Sequence, residues 1–201
     1  ALFFGLALVL TQLGLRHLSP LRGATISVPT TALVFVALAP ALFDAQGWDG
    51  RSATLFALAG CLFPAAVTLL TFEANRRIGP GLTGALGNTT PLFAVAIAAL
   101  LLGEIPRSGQ LAGIGVILSG VLLLMWAPNR AAANGLISAV ALPLAAALVR
   151  GLVQPVVKLG LETWPSPYAA ALIGYLVSAL VVLTVGVISN GRLVLSTGRG
   201  A

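Results

Sequence analysis

Charge is the scarcest thing in this chain. Its 201 residues hold 11 Lys+Arg, 5 Asp+Glu and one histidine, so charged positions make up 8%, against about a quarter in an ordinary soluble domain. A soluble surface cannot be built from so few. The lone histidine, His17, and five scattered carboxylates supply neither a metal constellation nor a nucleophile triad, so no enzyme, metal or cofactor is expected. No phosphate-cradling Gly-Lys motif is present either, so any ATP would have to come through a partner. Cys61 stands alone within an apolar run and reads as a small buried hydrophobe, since one cysteine makes no intrachain disulfide. The cations sit singly at the ends of apolar runs rather than in a basic stripe, which excludes a nucleic-acid partner despite the net charge of +6.

What is abundant is uninterrupted apolar sequence. Between successive charges lie runs of 15, 21, 21, 26, 22, 19 and 29 residues, and a helix needs roughly 20 residues to cross a hydrocarbon core of about 30 Å. These runs predict seven membrane helices, near 1–17, 23–42, 53–75, 80–103, 109–126, 134–158 and 168–189. The two-residue alternation of a β-barrel is missing. Turn residues such as Ser19-Pro20, Ile78-Gly79-Pro80 and Trp164-Pro165-Ser166-Pro167 separate the runs. Trp48, Trp126, Trp164 and Tyr168 fall at or just beyond span ends, as an interfacial aromatic belt would place them. The first run is short and reads as a helix truncated at its start rather than a signal peptide, since Leu15-Arg16-His17-Leu18 offers no cleavage site.

The chain also repeats itself. At an offset of 146, Ala1, Leu2, Gly5, Leu6, Leu13, Gly14 and Leu15 match Ala147, Leu148, Gly151, Leu152, Leu159, Gly160 and Leu161; one residue of slack then brings Ser19-Pro20 onto Ser166-Pro167. The sixth span is therefore expected to be a second copy of the first. A repeat of five spans inserts its second copy upside down, the inverted arrangement from which transporters are built. Residues 1–126 are expected to form the first five-helix repeat, and 134–201 the first two helices of a second, incomplete one.

The stretch from Thr71 to Leu124 carries a combination of motifs: Ala74 and Arg76, Pro91-Leu92-Phe93, Leu102-Gly103-Glu104, Gln110-Leu111-Ala112-Gly113 and Gly120-Val121. In these it resembles the EamA-type branch of the drug/metabolite transporter superfamily. The resemblance implies an all-α integral membrane protein with ten helices in a 5+5 inverted repeat, of which this chain supplies about seven. It also implies a central substrate cavity, export or exchange of small organic metabolites, and residence in a bacterial plasma (inner) membrane. The chain departs from the family by placing Phe4-Gly5 and Arg150-Gly151 where Trp-Gly is usual, and Ser27 and Gly174 where an arginine is common.

Arg150 interrupts the apolar sixth span. An arginine at that depth either faces a cavity and binds a substrate or carboxylate, or snorkels to the interface. Glu73 either couples protons or receives a cationic substrate in the cavity, or forms an i, i+4 pair with Arg77. In the fourth span Pro91 cannot donate to the carbonyl of Gly87, so a break beside Asn88, Thr89 and Thr90 would expose a free carbonyl and polar side chains, unless it is a packed kink. Gly109, Gly113 and Gly120 form a small-residue stripe expected to pack helix on helix, and Glu104 is expected to end a helix.

Counting Lys+Arg per turn puts the ends after spans one, three, five and seven in the cytoplasm; the resemblance implies the reverse. The leading expectation is a gradient-driven secondary transporter working by alternating access, with a small-molecule substrate and the bilayer as its partners and a homo-oligomer left open. The alternative is a non-transporting membrane scaffold or an inactive truncated product.

Overall fold

The computed structural model describes residues 2–103, 105–125 and 136–190. They form eight helices: α1 (Leu2–Gly14), α2 (Pro20–Leu42), α3 (Gly50–Leu62), α4 (Ala65–Gly87), α5 (Thr90–Leu102), α6 (Ser108–Met125), α7 (Leu136–Thr163) and α8 (Pro167–Asn190). Four stretches, Pro20–Leu42, Gly50–Gly87, Val140–Thr163 and Pro167–Ser189, are long and apolar enough to cross a membrane, and three shorter apolar helices accompany them. Glu104, Trp126 and Arg130, together with Arg192 and Arg199, lie outside the described residues.

Helix starts follow the residues that can cap them. Ser19 accepts from the Arg22 amide with Pro20 at the first position of α2, and Ser166 accepts from the Ala169 amide with Pro167 opening α8. The two Ser-Pro pairs matched by the sequence repeat thus perform the same task. Asp49 caps α3, its carboxylate accepting from the Ser52 amide at 2.7 Å and the Ser52 hydroxyl at 2.9 Å.

Two expected spans are each divided. The third comprises α3 and the first part of α4, parted at Phe63-Pro64; the fourth comprises the rest of α4 with α5, parted at Asn88-Thr89. The junction between them is Gly79, whose φ of 77° and ψ of 169° interrupt α4. That left-handed φ suits glycine, and Pro80 then restarts the helix.

The break at Pro64 has a chemical cause. Proline has no N–H, so the carbonyl of Gly60 loses its helical donor, and the amide of Ala65 also needs a partner. Ser178 of α8, fully buried, serves both: its hydroxyl donates to Gly60 O in a short contact and accepts from Ala65 N at 3.1 Å. Close approach makes this geometry available, because a Cβ on Gly60 would lie 2.7 Å from Gly174 O.

Helix directions can be read from their contacts. Gly186 near the end of α8 lies beside Thr25 near the start of α2, whereas Tyr168 at the start of α8 donates its hydroxyl to Phe35 O toward the end of α2. The two helices are therefore antiparallel, and Ala24, Val28 and Ala32 of one share a core with Ala179 and Val182 of the other. One end of the bundle gathers Phe43, Trp48, Phe56 and Trp164. The opposite end holds Ser19, Gly23 and Phe72.

Several expectations change here. Trp164 follows the end of α7, where the belt reading puts it, yet it is fully buried beneath its aromatic neighbours, while Trp48 remains 60% exposed. Cys61 is exposed, because α3 turns Gly60 and Phe56 inward instead. A Cβ on Gly109, Gly113 or Gly120 would meet nothing within 4 Å. The expected packing stripe thus faces no helix among the described residues, because α6 packs through Val121 against Leu82 and Leu86 of α4.

Removing the shared partner strands two buried backbone groups, so Ser178→Ala should lower unfolding stability in detergent by about 1–3 kcal/mol, read from thermal melting of the purified chain. Asp49 supplies a pH dependence. Its bonds from Ser52 hold its carboxyl below the ordinary value of 3.8, so its stabilisation is complete above that value and is lost as the pH falls through the depressed one. Asp49→Asn should remove that acid limb from a stability-against-pH profile.

Candidate functional site

The site grows from the spacing on α7. Arg150, Gln154 and Lys158 recur every four residues and share one face; Val153, Val157 and Leu161 recur likewise on the adjoining face. All six line a cavity of about 620 Å³ between α5 and α7, which Phe63, Ala94, Val95 and Ala98 wall from the other side. The apolar stripe and Phe63 also border a second cavity of about 230 Å³, reaching Phe56 and Ala59 of α3 and Gly174 and Tyr175 of α8. Sizes of a few hundred Å³ suit small-molecule ligands.

Arg150 sits at the middle of the 28-residue α7, with about 20 Å of helix on either side. Its guanidinium lies 5.9 Å from the ring centroids of both Phe4 and Phe63. Such contacts contribute about 0.5–2 kcal/mol each, so the two together are of the same order as the ~2.5–3.5 kcal/mol cost of an arginine at mid-membrane. No carboxylate pairs with it among the described residues. Arg150 thus stands at the cavity as a positive charge against two ring faces, without an ion pair among the described residues.

Two local features hold it there. Gly151 brings α7 against α5 so closely that a Cβ would stand 2.7 Å from Phe93 Cβ and 2.9 Å from Ala94 N. The Phe63-Pro64 break also falls at the depth of Arg150, since Phe63 is one of its two ring partners.

The other sequence candidates lie elsewhere. Glu73 does not line the cavity: its carboxylate is clasped by Arg76 at 2.9 Å and by Arg77, with the pair of arginines about half exposed. The carbonyl expected to be free at Gly87 is occupied, because the Thr90 hydroxyl donates to it at 2.8 Å in place of the amide that Pro91 lacks. Thr89 likewise donates to Leu86 O at 2.6 Å, and Asn88 and Pro91 are exposed. The α4–α5 break is thus self-satisfied, and none of Asn88, Thr89, Thr90 and Pro91 joins Arg150 at the cavity.

Phe63, Gln154 and Tyr175 were not singled out in the sequence, although the four-residue recurrence of Arg150, Gln154 and Lys158 is visible there. Asn75, fully buried in α4, was also passed over; its amide donates to Leu8 O at 2.9 Å and ties α1 to α4.

Comparison with known proteins gives one positive result: the model of the EamA-like transporter family matches residues 1–126. No curated protein and no solved structure matches the chain.

Because Gly151 has backbone against it and Gly113 has open space, Gly151→Ala should depress the melting temperature by several degrees. Gly113→Ala should leave it unchanged or raise it slightly. Equal shifts for both variants would mean that α5 and α7 do not meet at this distance.

Proposed function

The chain belongs to the EamA-like transporter family of the drug/metabolite transporter superfamily, and from that premise we propose that it moves small organic metabolites across a membrane by a gradient-driven, alternating-access cycle with Arg150 in the substrate cavity. The observation that carries the reading is a mid-helix cation without a described carboxylate partner, facing a cavity beside a broken helix. Interrupted helices at membrane depth are how secondary transporters assemble binding sites between repeats. The family is generally non-enzymatic, and an apolar cavity with one central cation suits binding better than bond chemistry.

The inverted-repeat architecture is supported by contacts between equivalent positions. Phe4 and Arg150, related by the offset of 146, meet ring to cation. Ala32 and Ala179, equivalent in the Ser27–Gly174 register, share one core. Equivalent positions of an inverted pair touch each other where both approach the twofold axis. The antiparallel course of α2 and α8 is what such an axis requires. On this reading residues 1–126 are one repeat, 134–201 begin the second, and alternating access rocks one against the other. Export or exchange through a bacterial inner membrane is the direction and place we assign to it.

The test is solute flux. The full-length protein is reconstituted in proteoliposomes and screened for counterflow with radiolabelled amino acids, organic acids and sugars. A counterflowing solute should appear, its net uptake should proceed only down an imposed solute or ion gradient and without ATP, and Arg150→Ala should reduce its flux at least tenfold with insertion unchanged. Unchanged flux in that variant removes Arg150 from the site.

A further inference from the structure

We propose that the ligand of this cavity is a small amphipathic carboxylate: its charged end on Arg150, and its apolar body in the chamber bounded by Phe63, Val153, Val157 and Tyr175. This rests on the reading of the Arg150 cavity as the substrate site and specifies the chemistry that the site selects.

The argument is one of adjacent faces. Along α7 the polar stripe led by Arg150 and the apolar stripe of Val153, Val157 and Leu161 lie side by side. The apolar stripe is shared by the larger and the smaller cavity. A molecule reaching Arg150 therefore has the smaller chamber next to it, and that chamber is lined by ring and aliphatic carbon, with the Tyr175 hydroxyl as its polar exception. A neutral solute would leave the guanidinium without an anion in a low-dielectric site, and a cation would be repelled by it. A polyanion would need a second cation within reach. The other cationic residue of the lining, Lys158, stands two helical turns from Arg150, or about 12 Å along the axis. One anionic group with a compact apolar body matches both faces. A guanidinium also presents a planar fork that fits a carboxylate with two parallel bonds.

The same chemistry, a single anion on an apolar body, is offered by water-soluble aromatic acids and by lipids; the proposal commits to the soluble acid. The purified full-length protein in detergent is tested by equilibrium dialysis with radiolabelled 3-phenylpropionate. The competitors are its primary amide, 2-phenylethylamine, laurate and phosphatidylglycerol. The acid should bind at least tenfold more tightly than the amide, which has the same shape without the charge, and the amine should not compete. Arg150→Gln should bring the acid down to the affinity of the amide, and Arg150→Lys should retain part of the difference. Equal binding of acid and amide overturns the proposal, as does acid binding that Arg150→Gln leaves intact. Binding of laurate or phosphatidylglycerol with none of the soluble acid overturns it in favour of a lipid anion. The comparison of acid with amide uses the unaltered protein, so it decides even where a variant fails to fold. Retained acid binding without any flux would remove the transport reading alone; Arg150-dependent flux of a neutral or cationic solute would remove the ligand class alone.

Discussion

A backbone that breaks inside hydrocarbon must find new partners for every peptide group it releases, since an unpaired N–H or C=O there costs several kcal/mol. Ser178 meets that requirement for the break between α3 and α4 by serving Gly60 O and Ala65 N with one hydroxyl. Much else depends on it. The hydroxyl reaches both groups because α8 lies against α3 at Gly60, where any side chain would collide with the backbone of Gly174. The break in turn leaves Phe63 where its ring can stand over Arg150. A serine on α8 is in this sense a condition for the position of a cation on α7.

The two breaks show why a disrupted helix is not in itself a site. At Asn88-Thr89 the neighbouring threonines return their hydroxyls to the carbonyls of Leu86 and Gly87, so the disruption is closed within its own chain segment. At Phe63-Pro64 the partner comes from a distant helix, and a ring is left facing a cavity. A proline stands at both breaks, although only Pro91 was singled out in the sequence. What separates them is whether a hydroxyl lies next to the proline, as Thr90 does beside Pro91, or has to be supplied by tertiary packing, as Ser178 is for Pro64.

Much of the fold was legible because the membrane imposes simple rules. Charge spacing locates the apolar helices, although only four stretches among the described residues are long and apolar enough to cross a membrane where seven were expected, and the Ser-Pro pairs that the repeat matches cap α2 and α8. The Gly79-Pro80 junction was read as a turn, and the structure bends α4 there. Isolation within an apolar run singles out Arg150, and the structure sets it at a cavity. Glu73 and the Asn88–Pro91 segment were harder, because the spacing that suggests a cavity residue also suggests a local pair or a self-capped kink, and contacts decide between them. Trp164 was assigned to an exposed belt because it ends a helix; whether Phe43, Trp48 and Phe56 close over it depends on where other helices end. Ser178 carried no local signal at all, since its partners lie 113 and 118 residues away.

On the proposed inverted-repeat reading, the pairing of Phe4 with Arg150 bears on how such a repeat acquires selectivity. Positions that are equivalent under such a repeat and lie near its axis face each other, so identical residues there present like to like. Two arginines at 4 and 150 would set two positive charges face to face in a low-dielectric site, at a cost no ring contact could offset. Two phenylalanines would pack well and leave no charge for a ligand. One of each gives a cation set against a ring face, without an ion pair among the described residues. On that reading, departure from symmetry at an axial pair gives a scaffold of two similar halves one charged point. The residues most informative about selectivity in such a chain are the equivalent pairs that touch and yet differ.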